Sequence, residues 1–160
     1  MISCVPVDEH EYINKDIIPL LSNNDILYFR DSLNISKTDT FHIITGEFWN
    51  YTIEKNYLQY LQFYYNKSNS KLHFFSIALS PSGGGDRFVL IDYNYPSYQQ
   101  YDIKNNYTLN AVTYPTVYIG HYNKVDYSAD TIPNNVYFTY KKGIIRYEYK
   151  DGRVYNLVIK

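Results

Sequence analysis

Residues 144–159 (IIRYEYKDGRVYNLVI) decide the fold class. Apolar and polar side chains alternate on both sides of Asp151-Gly152, and period-two alternation around an Asp-Gly pair is the signature of a β-hairpin. Both residue types tolerate the positive φ that the two central positions of a type I′ turn require, so the sequence predicts a two-residue turn. That register sets Tyr149 opposite Val154, Tyr147 opposite Asn156 and Ile145 opposite Val158. On the other face Glu148 meets Tyr155 and Arg146 meets Leu157. The first face is the more apolar and is expected on the core.

Working outward, the same alternation recurs back to residue 26, broken by clusters of Asn, Asp, Gly, Ser and Pro. It predicts strands at residues 26–30, 41–45, 57–65, 72–79, 87–93, 117–122 and 136–140. Residues 81–86 (PSGGGD) read as a loop, because three glycines hold no regular structure firmly. Residues 98–109 are the least periodic and read as irregular chain or a weak edge strand. Helix signals are thin: residues 16–21 (DIIPLL) allow one turn before Pro19 stops it. The expected architecture is all-β, an antiparallel meander forming a sandwich or a partly closed barrel. Residues 23–160 form the single domain, and residues 1–22 an extended N-terminal tether.

Composition narrows the function classes. The 160 residues carry 15 basic and 16 acidic side chains for a formal net charge of -1, with no basic run. Neither nucleic acid nor a polybasic membrane footprint is indicated. Tyrosine is in excess, at 21 residues beside 8 Phe and 1 Trp. Aromatics suit a pleated, half-buried surface. Tyr93, Tyr95, Tyr98, Tyr101, Tyr118 and Tyr122 form a candidate interaction or ligand surface, since Tyr offers large contact area with a polar tip. The competing account is that Tyr fills ordinary sheet positions in an Asn-, Ile-, Lys- and Tyr-rich chain.

No catalytic residue is named. The serines lack a Gly-x-Ser-x-Gly setting, and Ser82-Gly83-Gly84-Gly85 lacks the Lys-Ser/Thr ending of a phosphate loop. His42, His73 and His121 lie in predicted strands and could converge, but a lone strand histidine is more often a hydrogen-bonded surface residue. No metal and no cofactor are therefore assigned. Asp86, Asp92, Asp102 and Asp126 offer carboxylates, and nothing in their spacing selects a glycosidase-like pair.

The single cysteine, Cys4, follows Ile2-Ser3 and precedes an acidic stretch, VPVDEHEY. An aliphatic residue, a small residue and Cys look like the end of a bacterial lipobox, with the numbered chain beginning close to the processing point. Pro19-Leu20, residues 25–29 (DILYF), Ser32 and residues 39–43 (DTFHI) resemble the opening of small uncharacterised outer-membrane lipoproteins of Bacteroidota. Residues 136–138, 142–145 and 151–155 resemble their ends.

The resemblance implies lipidation at Cys4 and an outer-membrane address on the periplasmic or cell-surface face. It also implies O-glycosylation at Ser32 and Thr131, each within an Asp-Ser/Thr-aliphatic tripeptide. The leading expectation is a non-enzymatic accessory or structural subunit of an outer-membrane protein complex, held to the membrane by lipid alone. The alternative is a surface carbohydrate-binding module using exposed tyrosines.

Overall fold

The computed structural model describes residues 9–13, 15–51, 56–68, 73–80, 87–92, 95–98, 100–122 and 133–159. β1 (Glu9–Glu11) and a 3-10 turn (Lys15–Ile17) lead into β2 (Ile26–Asp31), β3 (Thr38–Tyr51), β4 (Asn56–Lys67) and β5 (His73–Ser80). β6 (Arg87–Asp92), β7 (Tyr95–Tyr98), β8 (Gln100–Leu109) and β9 (Val112–His121) follow. β10 (Asn135–Thr139), β11 (Gly143–Glu148) and β12 (Val154–Leu157) complete the described elements. The sheet runs β7-β6-β5-β4-β3-β2-β12-β11-β10-β9-β8, so the meander closes where β12 pairs with β2.

Every pairing along this path is antiparallel. The path holds an even number of such pairings, so its edge strands β7 and β8 point the same way. Only residue 99 separates them in sequence, and two Cα steps span at most about 7.6 Å. The chain thus leaves one edge of the sheet and enters the other without reversing. The sheet is therefore curled into a partly closed barrel.

The curl is also visible inside. Tyr65 Oη on β4 accepts the Ile144 amide of β11 at 3.1 Å, although β3, β2 and β12 lie between those strands in the sheet. Gly143 makes the approach possible: its φ is +68°, and a Cβ there would stand 2.1 Å from that hydroxyl. Phe29, Phe41 and Tyr147 meet edge to face or tilted at 5.3–6.2 Å, and Tyr147 stacks on Tyr155 at 4.9 Å. Asp39 is buried among them. It accepts hydrogen bonds from Tyr147 Oη and Lys67 Nζ, each at 2.7 Å, so the carboxylate enters the core already paired.

Three sequence expectations change. The C-terminal hairpin does not turn on two residues. Tyr149 N donates to Arg153 O and Gly152 N to Tyr149 O, leaving a three-residue loop, Lys150-Asp151-Gly152, with Gly152 at φ +88°. This is a type I turn closed by a glycine bulge. The register moves by one, pairing Tyr147 with Tyr155 and Glu148 with Val154. A one-residue slip reverses a strand's faces, so Tyr155 and Leu157 enter the core and Val154, Asn156 and Val158 do not.

Residues 100–109 form a regular ten-residue strand, though at the sheet edge. The two-residue turn sits there, at Asn110-Ala111, with φ of 50° and 64°. β9 begins at Val112, five residues before the predicted start.

The β8–β9 hairpin has two halves. Its first half pairs with β10 through residues 118–121. Further out, burial on β9 falls on Ile119, Val117 and then Tyr114, so the alternation slips between the last two. The slip coincides with Pro115, which has no N–H, and with Asn106 at φ 53° on the facing strand. It puts Tyr107, Leu109 and Tyr114 on the same side as Val117 and Ile119.

That arm folds over the outside of the barrel. Tyr107 packs on Tyr137 at 5.7 Å, and Asn110 Nδ2 reaches Leu157 O at 3.5 Å. Val136, Tyr137, Phe138 and Thr139 are consecutively buried, because β10 is covered on both faces. A local second layer thus sits on the barrel.

The described part of the segment before β2 lies on the sheet. β1 pairs parallel with Asn56–Leu58 on the edge of β4 that β5 does not reach. Ile13 is buried and donates its amide to Gln59 Oε1, and Leu20 N donates to Lys141 O.

Candidate functional site

Two kinds of feature gather polar chemistry on the outer surface: a hydrogen-bonded ladder and open grooves. The ladder crosses four strands. His121 on β9 and Glu148 on β11 both stand in register with Asn135 on β10, and Asp102 lies on β8 beside them. His121 Nε2 lies 3.0 Å from Asp102 Oδ2 and its Nδ1 lies 2.8 Å from Asn135 Oδ1. Asn135 Nδ2 donates to Glu148 Oε2 at 2.9 Å, and Arg146 closes on the other oxygen of Glu148.

The donors fix one another. A carboxylate only accepts, so Glu148 holds the Asn135 amide with its oxygen toward His121. Both imidazole nitrogens then face acceptors. Burial works to raise the Glu148 carboxyl, but hydrogen bonds from Asn135 and Arg146, the Arg146 charge and the Tyr137 hydroxyl outweigh it and hold it below the usual range. The Tyr137 hydroxyl is pushed up to about 12, first by burial and then by the Glu148 charge and its hydrogen bond. Arg146 also lies over the Tyr137 ring at 5.3 Å. The ladder ties the edge strand to the barrel.

The grooves have different walls. One, of about 390 Å³, runs between Val112, Tyr114 and Pro115 on the arm and Tyr140, Lys141 and Lys142 at the β10–β11 turn. It opens because β10 ends at Thr139 while β9 continues outward past Tyr118. A second groove of about 390 Å³ lies on the outer face of β2 and β12, lined by Arg30, Ile35, Asn110, Asn156, Val158 and Ile159. A smaller one of about 280 Å³ shares Arg30 and Val158 with it. Asn156 stands in register between Arg30 and Arg146, and its buried Oδ1 has no hydrogen-bond partner among the described residues.

Of the tyrosines singled out by sequence, Tyr101 meets Phe138 edge-on at 5.6 Å, and Tyr118 stacks on Phe138 and packs on Tyr140 at 4.8 Å. Both are half-buried at the margin of the core, as is Tyr122. Tyr95 and Tyr98 belong to β7 by their backbone, while Tyr93 lies outside the described residues. Ser32 is exposed at the end of β2, its amide bonded to Val154 O. Cys4 and Thr131 lie outside the described residues. His42 is exposed on β3, away from the ladder that holds His121. Among the described residues no group of His, Cys, Asp and Glu could hold a metal ion.

The ladder and Arg30 escaped sequence reasoning. Their signal is a polar side chain at the same phase of neighbouring strands, and it can be read only once the register is right.

Comparison with protein-family models, with curated proteins and with solved structures finds no significant match to the chain.

Proposed function

We propose that this chain is a non-enzymatic lipoprotein, held at the outer membrane through Cys4, that serves as an accessory or structural subunit of a membrane protein complex. The observation that carries the reading is the pair of open grooves on the outer surface. The barrel fills its interior with Phe29, Phe41, Tyr147 and Tyr155, yet leaves concave apolar and polar surface uncovered outside. Concave surface of this size with a few convergent polar groups is where proteins hold other molecules.

The lipobox-like start supports the address. β1 begins five residues after Cys4, and five residues reach at most about 18 Å, so a lipid there holds the β1 end of the barrel near the bilayer. Two or three acyl chains make such an anchor firm where one is marginal.

Two measurements test the reading together. Mass spectrometry of the N-terminus of native protein is expected to find an acylated Cys4. Gentle purification from native membranes is expected to retain a stoichiometric partner. A bare thiol combined with recovery as a free monomer refutes it.

A further inference from the structure

We infer that the outer face of β2 and β12, with the β2–β3 turn, is the docking surface for the partner, and that it fits a polypeptide presenting a carboxylate among aliphatic side chains. The inference rests on the contact role proposed above and assigns it a place.

The turn carries the first argument. Leu33 and Ile35 are 83% and 75% exposed, two large aliphatic side chains on one short loop. The loop is held rigidly. Asp31 Oδ1 accepts the Leu33 and Asn34 amides at 2.8 and 3.2 Å, and Asn34 Oδ1 accepts both the amide and the hydroxyl of Ser36. Asp31 N donates to Lys37 O and Lys37 N to Asn34 O. A mobile loop can turn its apolar side chains away from water, whereas this one presents them in a fixed geometry. Such presentation lowers the ordering cost of binding.

The surface beside it is continuous with the turn. Ile35 lines the larger groove together with Ile159, itself 47% exposed, and Val158. Arg30 sits at the centre, shared by both grooves and exposed, and it makes no ion pair among the described residues. The carboxylate on the groove lining is committed elsewhere: Asp31 Oδ1 accepts the turn amides. An exposed arginine flanked by Ile35, Val158 and Ile159, with Asn110 and Asn156 also on the lining, joins apolar surface to a fixed charge, and its planar guanidinium selects a carboxylate.

Position agrees with anchoring. β3 starts at this turn and runs fourteen residues to Tyr51, beside the β1 end, and at about 3.3 Å per residue that is roughly 45 Å of strand. A barrel held by Cys4 therefore carries this surface at its far end.

The test compares native complexes of four forms: wild type, Arg30→Glu, Leu33→Asp with Ile35→Asp, and Ile103→Asp. Ile103 is 61% exposed on the edge strand and serves as the control. All four positions are exposed, so equal thermal melts verify folding. Arg30→Glu and the double variant are expected to lower partner retention at least tenfold, and Ile103→Asp to leave it unchanged.

A photo-crosslinker at position 35 is expected to join a partner peptide bearing Asp or Glu between aliphatic residues. A complex that survives both substitutions overturns the docking surface and leaves the contact role standing. Absence of any complex removes both. Adducts with lipid or with a second copy of this chain also overturn the assignment. So does an O-glycan on Ser32, which lines the same groove, in the intact mass of native protein.

Discussion

The β11–β12 and β8–β9 hairpins solve the same problem in opposite ways. β11–β12 contains Asp-Gly, the dipeptide best suited to a two-residue turn, and uses three residues. β8–β9 has Asn-Ala, a poorer dipeptide, and uses two, forcing Ala111 to φ 64°. The difference lies in what each strand must bury. In β11–β12 the three-residue loop sets Tyr155 against Tyr147, filling the core with a stacked pair. A two-residue turn at Asp151-Gly152 would have turned Asn156 inward. In β8–β9 the faces are corrected further down, at Asn106 and Pro115, and the turn follows. Turn chemistry proposes a register, and the buried face decides it.

Tyr155→Ala breaks this comparison most severely. Removing a buried ring from the stacked pair is expected to cost about 3–5 kcal/mol, read as a fall in the denaturant midpoint. A truncation of half-buried Tyr107 on the arm is expected to cost less, and an equal cost would break the comparison.

Alkaline titration comes next. Burial, then the Asp39 charge and hydrogen bond, raise the Tyr147 hydroxyl far above its ordinary value, and burial raises Tyr149 and Tyr65 as well. Tyr137, under the arm, rises to about 12. Between the unfolded value near 10 and these folded values the native state holds more protons than the unfolded one. Stability is therefore full below pH 10 and falls above it, by up to about 1.4 kcal/mol per pH unit for each such tyrosine. Unfolding midpoints measured from pH 9 to 12 check the sign, and a flat profile contradicts it.

The turns themselves give smaller effects of opposite sign. Gly152→Ala places a side chain at φ +88° in open space, so only backbone strain of about 1 kcal/mol is expected. Ala111→Gly relieves the same strain and is expected to stabilise by about 0.5–1 kcal/mol. The smallest effect belongs to deletion of Lys150. It leaves Asp151-Gly152 as a true two-residue turn between Tyr149 and Arg153 with the register intact, so the melting temperature should barely move.

Much of the sheet could be read from alternation alone. Residues 57–65 and 87–93 lie within one or two residues of β4 and β6, because both stretches are rich in the aromatic and β-branched residues that favour strands. Residues 98–109 could not be read that way. On β8 Tyr101 packs at one end and Tyr107 and Leu109 at the other, while residues 102–106 face water, so no period appears. The tyrosines were visible as an excess, but composition does not say which side of a sheet a ring occupies. Tyr101 and Tyr118 belong to the margin of the core. The ladder and the Arg30 surface needed the register of β10 through β12 and β2, which joins residues far apart in the chain.

The pairing of β2 with β12 has a consequence for how the molecule is made. Residues 26–31 find their second neighbour only in residues 154–157, so the two halves of the sheet stay unjoined until residue 157 has been made. Until β12 arrives, β2 and β11 each display an unpaired edge to every other chain nearby. Loss of the four residues of β12 would therefore act like removal of a keystone.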